Sequence, residues 1–123
     1  MATPLISVVD DDQSVRESLA RLIRSVGFRV QVFGSAEEFL GAGQGRQADC
    51  LILDIRMPGM NGLELQRELS ASDRDLPIIF ITAHGSCAEV RARALGAGAV
   101  DYLLKPLKEE EVLEAIDAAL SSK

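Results

Sequence analysis

The sequence predicts an α/β protein of the doubly wound kind, a five-stranded parallel sheet with five helices in a three-layer sandwich. Two observations carry this reading. Five short apolar runs alternate along the chain with five segments of helical periodicity. The runs are rich in Val, Ile and Leu, as expected of strands buried on both faces, and right-handed crossovers between parallel strands place helices on either side. One domain spanning residues 1–123 accommodates all of them, and with 47% hydrophobic residues it can bury a core without disulfides or metals.

Leu5 to Val9 reads as the first strand. Val15, Leu19, Leu22, Ile23 and Val26 follow at spacings of three and four, which makes a helix. Ser14 with Glu17 has the form of a capping box at its start, and Gly27 supplies its stop. Phe28, Val30 and Val32 alternate with Arg29 and Gln31, the pattern of a half-buried strand at a sheet edge, and Ser35 with Glu38 opens a short second helix. Cys50 to Leu53 is the third strand, followed by a loop from Ile55 to Asn61 and a helix carrying Leu63, Leu65 and Leu69. Ile78 to Ile81 and Val100 to Leu104 are the fourth and fifth strands. The fourth helix runs through Val90, Ala94 and Leu95, and the fifth presents one apolar face of Val112, Leu113, Ile116 and Leu120.

Composition excludes several functions. A formal charge of −6 leaves no clustered Lys and Arg with which to displace counterions from a duplex, so direct nucleic-acid contact is not expected. No stretch reaches the roughly 20 apolar residues of a membrane span, and Asp10 interrupts the N-terminus before a signal-peptide core could develop, so the expected location is the cytoplasm. Cys50 and Cys87 have neither metal-ligand spacing nor an obvious partner and read as reduced thiols. Gly41, Gly43 and Gly45 follow a helix and precede a strand, the reverse of a phosphate-binding loop, and read as a surface loop. Glu109, Glu110 and Glu111 suit the positive end of the last helix dipole.

In open parallel sheets ligands bind beyond the carboxyl ends of the strands. Four strands end in polar residues there: the first in Asp10, Asp11 and Asp12, the third in Asp54, the fourth in Thr82 and the fifth in Lys105, followed by Pro106. Taken singly, an Asp after a strand caps the next helix and a Lys is solvated. Carboxylates converging from adjacent strands, however, repel by ~1 kcal/mol per pair at 4 Å in water and by ~4 kcal/mol at an effective dielectric of 20. A cation resolves that repulsion. Hard oxygen ligands in a shallow site suit Mg²⁺, with Mn²⁺ as the alternative, held by Asp10 and Asp11, while Asp12 is best placed to meet the following helix. Beside such an ion Asp54 fits a nucleophile toward phosphorus. Lys105 would balance the phosphoryl charge and the Thr82 hydroxyl would donate to it, with Ala83 small enough for the backbone to approach.

VVDDD at 8 to 12, LDIRMPGMNG at 53 to 62, ITAHG at 81 to 85 and DYLLKP at 101 to 106 resemble, in order and in position, a response-regulator receiver domain. The resemblance covers essentially the whole chain and is nearest to receivers of the FixJ and NarL type. It implies a flavodoxin-like strand order of two, one, three, four, five, with Asp54 as phosphoacceptor and Asp10, Asp11, Asp54 and the Arg56 backbone carbonyl on Mg²⁺. It implies further that Thr82 and Lys105 form the switch pair, that the Lys105–Pro106 peptide is cis, and that Tyr102 turns inward when Thr82 moves to the phosphate. Arg56 and His84 would modulate the site. The implied phosphodonor is a sensor histidine kinase. The implied response is a change on the surface of the fourth helix, fifth strand and fifth helix, where Val90, Arg91, Ala94 and Leu95 suit a phosphorylation-promoted homodimer. A helix-turn-helix DNA-binding output domain would lie C-terminal if the chain is a fragment, and otherwise the chain is a single-domain regulator acting by protein–protein contact.

One departure stands out. Thr82 and Lys105 are 23 positions apart, one more than the resemblance leads us to expect, with the extra residue placed in Ser86 to Glu89. Two rivals share parts of the pattern. An FMN-binding flavodoxin-like protein needs hydroxyls and glycines where three aspartates stand, and aromatics that a chain without Trp and with one Tyr does not supply. A phosphohydrolase of the haloacid dehalogenase class would carry a second Asp where Arg56 stands, and has no room here for a cap domain. The chain is therefore expected not to be an enzyme, beyond catalysing its own phosphorylation and dephosphorylation.

Overall fold

The computed structural model describes residues 3–42, 48–71, 76–83 and 88–121. Its elements run β1 (Leu5–Val9), α1 (Gln13–Ser25), β2 (Arg29–Phe33), α2 (Ala36–Gly41), β3 (Cys50–Asp54), α3 (Gly62–Ala71), β4 (Ile78–Thr82), α4 (Ala88–Gly96), β5 (Asp101–Leu104) and α5 (Glu109–Ser121). All strand pairs are parallel, in the order β2-β1-β3-β4-β5, as expected for the doubly wound sandwich. Gly43, Gly45 and Cys87 lie outside the described residues, as does Ser86; the other half of the span Ser86 to Glu89, assigned the extra residue, opens α4.

Period-two alternation divides each central strand between two cores. Ile6 and Val8 of β1, Cys50 and Ile52 of β3 and Ile79 and Ile81 of β4 meet Leu19 and Ile23 of α1 and Val112 and Ile116 of α5. Val9, Leu51, Leu53, Ile78 and Phe80 face the other way, against Phe39 of α2, Leu65 and Leu69 of α3 and Ala94 of α4. Every residue of β1, β3 and β4 is buried, which explains why their sequences show continuous apolar runs.

Helix boundaries follow local chemistry, with one correction. α1 does not open on the Ser14 and Glu17 pair: Asp12 is its N-cap, its Oδ1 accepting from the Ser14 N–H at 2.8 Å, while Glu17 Oε1 accepts from the Gln13 side chain at 2.9 Å. An aspartate at that point reaches the N2 amide directly and outcompetes the serine further in. The stop at Gly27 is a Schellman motif, with Gly27 N–H donating to the Arg24 carbonyl and Phe28 N–H to the Ile23 carbonyl, and with Gly27 at φ +95°. Ser35 caps α2 by accepting from the Glu38 N–H at 3.0 Å. Asn61 and Glu64 exchange side-chain bonds at the start of α3, each accepting from the other's N–H at 2.9 Å.

Two apolar positions are not where the sequence puts them. Val32 on the edge strand β2 is 42% exposed, lining an open groove with Arg16, Ala20 and Arg21 of α1, whereas Val30 packs on the core. On α4, Leu95 is 37% exposed, in keeping with the surface patch to which it was assigned, but Ala94, assigned to the same patch, is the buried residue of that helix.

Candidate functional site

The polar strand ends meet at one edge of the sheet. Asp10 follows β1 directly, and its N–H donates to the Phe33 carbonyl at 3.1 Å, which ties the end of β1 to that of β2. Its side chain is completely buried; Oδ1 accepts from the Asp12 N–H at 2.8 Å, and its backbone carbonyl accepts from Arg16 Nη1 at 2.7 Å. Asp11 is exposed beside it, and Asp12 is turned away to cap α1. Asp54 ends β3, only 4% exposed. Asp10, Asp11 and Asp54 each offer a carboxylate oxygen, all within 4.8 Å of one another.

Lys105 reaches into this cluster from the end of β5. Its Nζ lies 2.8 Å from Asp10 Oδ2 and 3.8 Å from Asp54 Oδ2. Its N–H donates to the Thr82 carbonyl at 2.8 Å, so the ends of β4 and β5 are joined beside the acids, and the Lys105–Pro106 peptide is cis. Thr82 is buried and Ala83 exposed, while Tyr102 is buried in the core shared with α4. Arg56 is exposed, and its backbone N–H donates to the Asp54 carboxylate. His84 lies outside the described residues.

The charges are unevenly balanced. Burial, then the Asp10 charge, pushes the Asp54 carboxyl up to about 7 against the pull of Lys105 and the Arg56 N–H, with Asp11 adding to the rise. Burial alone would lower the Lys105 ammonium, yet its hydrogen bond to Asp10 and the charges of Asp10, Asp54 and Asp12 hold it above its ordinary value. One lysine thus leaves the cluster with surplus negative charge. Three hard oxygen donors in a shallow, partly solvent-open site suit a small divalent cation such as Mg²⁺, which retains waters of its own.

The loop after β3 is shaped by a contact that the sequence does not announce. Gly62 donates its N–H to the Ile55 carbonyl at 2.9 Å, and a Cβ there would lie 2.5 Å from the Asp54 carbonyl oxygen and 3.0 Å from the Ile55 Cα. Only glycine lets α3 start this close to the end of β3. Arg16 on the Asp10 carbonyl and Glu37, which accepts from the Met60 N–H at 2.9 Å, are further supports missed from sequence. Neither carries a local signal, since each depends on how two elements pack.

Residues 6–117 match the response regulator receiver domain family. TodT, a response regulator protein of Pseudomonas putida, is 47% identical over 116 residues, covering 94% of this chain and 51% of TodT. The transcriptional regulatory protein FixJ of Bradyrhizobium diazoefficiens is 38% identical over 115 residues, covering 94% of this chain and 56% of FixJ. The crystal structure of FixJ-N superimposes with a TM-score of 0.86 at 38% identity, covering 98% of this chain and 96% of that one. Fold and strand-end cluster together define an α/β signalling module with an acidic site at the sheet edge, and the chain belongs to the response regulator receiver domain family. It is thus a receiver domain of the two-component type, a family of signalling switches not usually classed as enzymes. The chain spans about half the length of the curated relatives it matches. Among the described residues no helix is long and apolar enough to cross a membrane.

Proposed function

We propose that this chain accepts a phosphoryl group on Asp54 from a sensor histidine kinase and passes the change to the surface formed by α4, β5 and α5. The observation that carries this reading is the convergence of Asp10, Asp11 and Asp54 oxygens within 4.8 Å, with Lys105 bridging Asp10 and Asp54. Asp10, Asp11, Asp54 and the Arg56 carbonyl would hold Mg²⁺, which when bound supplies charge neutralisation at the phosphoryl oxygens.

In the transfer, an Asp54 carboxylate oxygen attacks phosphorus; the P–O bond forms as the bond from phosphorus to the donor nitrogen breaks, and that nitrogen keeps the electron pair. Lys105 exchanges its partner from Asp54 to a phosphoryl oxygen while remaining within reach of Asp10. Thr82 donates its hydroxyl to a second oxygen and the Ala83 backbone lies beside it. Tyr102, already buried in this structure, keeps that inward position as Thr82 moves to the phosphate, and His84 and Arg56 govern the access of water to the acyl phosphate.

The exposed side chains Leu95 and Leu104 and the groove lined by Arg91, Tyr102, Leu104, Lys108 and Glu111 favour a phosphorylation-promoted homodimer on this face. Relatives about twice as long favour an output domain, most simply a DNA-binding one, joined to a receiver working in the cytoplasm. Intact mass after incubation with acetyl phosphate and Mg²⁺ tests the core of the proposal. One phosphoryl group gained by the wild type and none by Asp54→Asn is the expected result. Mass gained equally by both proteins would place the acceptor elsewhere and overturn the assignment.

A further inference from the structure

Glu37 stands in the first turn of α2, exposed to solvent, and its carboxylate crosses to the loop between β3 and α3. There Oε2 accepts from the Met60 N–H at 2.9 Å, a charge-assisted bond between positions 23 residues apart. The turn is built to receive it. Gly59 takes φ +74°, and a Cβ at that position would lie 2.8 Å from Glu37 Oε2, in the space the carboxylate occupies. The Met60 amide and the residue's own amide hold the Glu37 carboxyl below its ordinary value, consistent with an anion held by donors.

The base on which Glu37 is mounted is firm. Phe39 of α2 is buried and meets Phe33 of β2 edge-on, with centroids 5.4 Å apart and planes at 86°, and Ser35 caps the helix. The far end of the loop is fixed by the Asn61 and Glu64 exchange and by Gly62 against β3. Between these anchors lies Arg56, whose N–H bonds the Asp54 carboxylate.

We propose that Glu37 is a positioning residue for the acid cluster: by holding the Met60 N–H it fixes the β3–α3 loop, and with it the Arg56 peptide, against Asp54. The role rests on the reading of the site as a Mg²⁺-dependent phosphoacceptor. It acts through backbone placement, since Glu37 itself touches neither the acids nor Lys105 in the bonds described.

The test compares wild type, Glu37→Ala and Glu37→Gln, with Glu68→Ala on the exposed face of α3 as a surface control. Three quantities are read: exchange of the Met60 amide, Mg²⁺ affinity by calorimetry on the unphosphorylated protein, and the thermal midpoint. In Glu37→Ala the Met60 amide should exchange roughly tenfold faster, and Mg²⁺ affinity should fall by about tenfold, the lower end of what outer partners of metal sites contribute. Glu37→Gln keeps an acceptor oxygen and should recover most of both, and the control should match wild type. Wild-type Mg²⁺ affinity retained in Glu37→Ala overturns the positioning role and leaves the functional reading intact. A parallel loss of thermal stability and affinity that Glu37→Gln fails to restore overturns it too, since that marks a general structural role. A wild-type chain that takes up neither Mg²⁺ nor a phosphoryl group overturns the functional reading itself, and this role with it.

Discussion

Lys105 sits closer to Asp10 than to Asp54 within the pair of carboxylates it bridges: its Nζ is 2.8 Å from Asp10 Oδ2 and 3.8 Å from Asp54 Oδ2. Asp10 is completely buried and Lys105 only partly so, which makes the aspartate the group most dependent on the pair. The lysine is thereby kept pointing into the site while Asp54 stays available for chemistry.

Replacing Lys105 with Ala strands a buried carboxylate. The expected loss is about 2–3 kcal/mol in metal-free buffer, somewhat below the usual range for breaking a fully buried pair because the ammonium is partly solvated. Urea denaturation with and without Mg²⁺ measures it, and the loss should shrink when Mg²⁺ is present. An unchanged midpoint in metal-free buffer would show that Asp10 does not need the lysine.

Asp54 makes metal-free stability fall as pH rises. Its folded carboxyl titrates at about 7, above its unfolded value, so the folded state binds the extra proton, and the contribution is full below the unfolded value and gone above about 7. Asp54→Asn removes that slope. At pH 8 in a chelator the variant should be the more stable protein by about 1–2 kcal/mol, the scale of one close like-charge interaction partly screened by water. Denaturation midpoints of both proteins between pH 5 and pH 8 decide the matter; parallel curves would contradict it.

Asp11 and Asp12 are adjacent in sequence but separate in role. Asp12→Ala should lower stability by about 1 kcal/mol through loss of the α1 cap and leave Mg²⁺ affinity within a factor of about two. Asp11→Ala should weaken Mg²⁺ at least about tenfold with little change in unfolding. Calorimetric titration of the two variants separates them, and similar Mg²⁺ losses in both would dissolve the distinction.

Gly62→Ala should be among the more damaging single-methyl changes in the chain. With 2.5 Å to the Asp54 carbonyl oxygen and 3.0 Å to the Ile55 Cα, the neighbours to be displaced are backbone. A loss of about 2–3 kcal/mol is expected from such overpacking, together with slower phosphoryl uptake. Gly41→Ala, where a Cβ meets nothing within 4 Å, is the comparison and should stay within about 1 kcal/mol of wild type. Equal behaviour of the two variants in denaturation would remove the close approach as an explanation.

The central strands were readable in sequence because burial on both faces demands uninterrupted apolar runs, and β1, β3 and β4 have them. Asp10, Asp11, Asp54 and Lys105 stood out as polar residues at strand ends, and the structure brings these four together. Val32 misled because period two assumes that a strand's whole inner face is covered, which an edge strand does not guarantee. The α1 cap misled because serine three residues before glutamate is one solution to orphan amides and aspartate further upstream is a better one. Arg16, Glu37 and Gly62 were silent for a different reason. Their partners, the Asp10 carbonyl, the Met60 amide and the Asp54 carbonyl, exist as partners only once separate elements have docked.

The split of β1, β3 and β4 between two packed layers has a consequence for divergence. Two of those strands, β1 and β3, end in the acids, and all three are constrained on both sides, so few substitutions there leave the carboxylates in register. α4 buries only Ala94, and its outward residues, Arg91 and Leu95 among them, support nothing inside. The outer face of α4 can therefore be rewritten for a new partner while the chemistry of the sheet edge stays as it is, so that a change of listener need not involve a change of message.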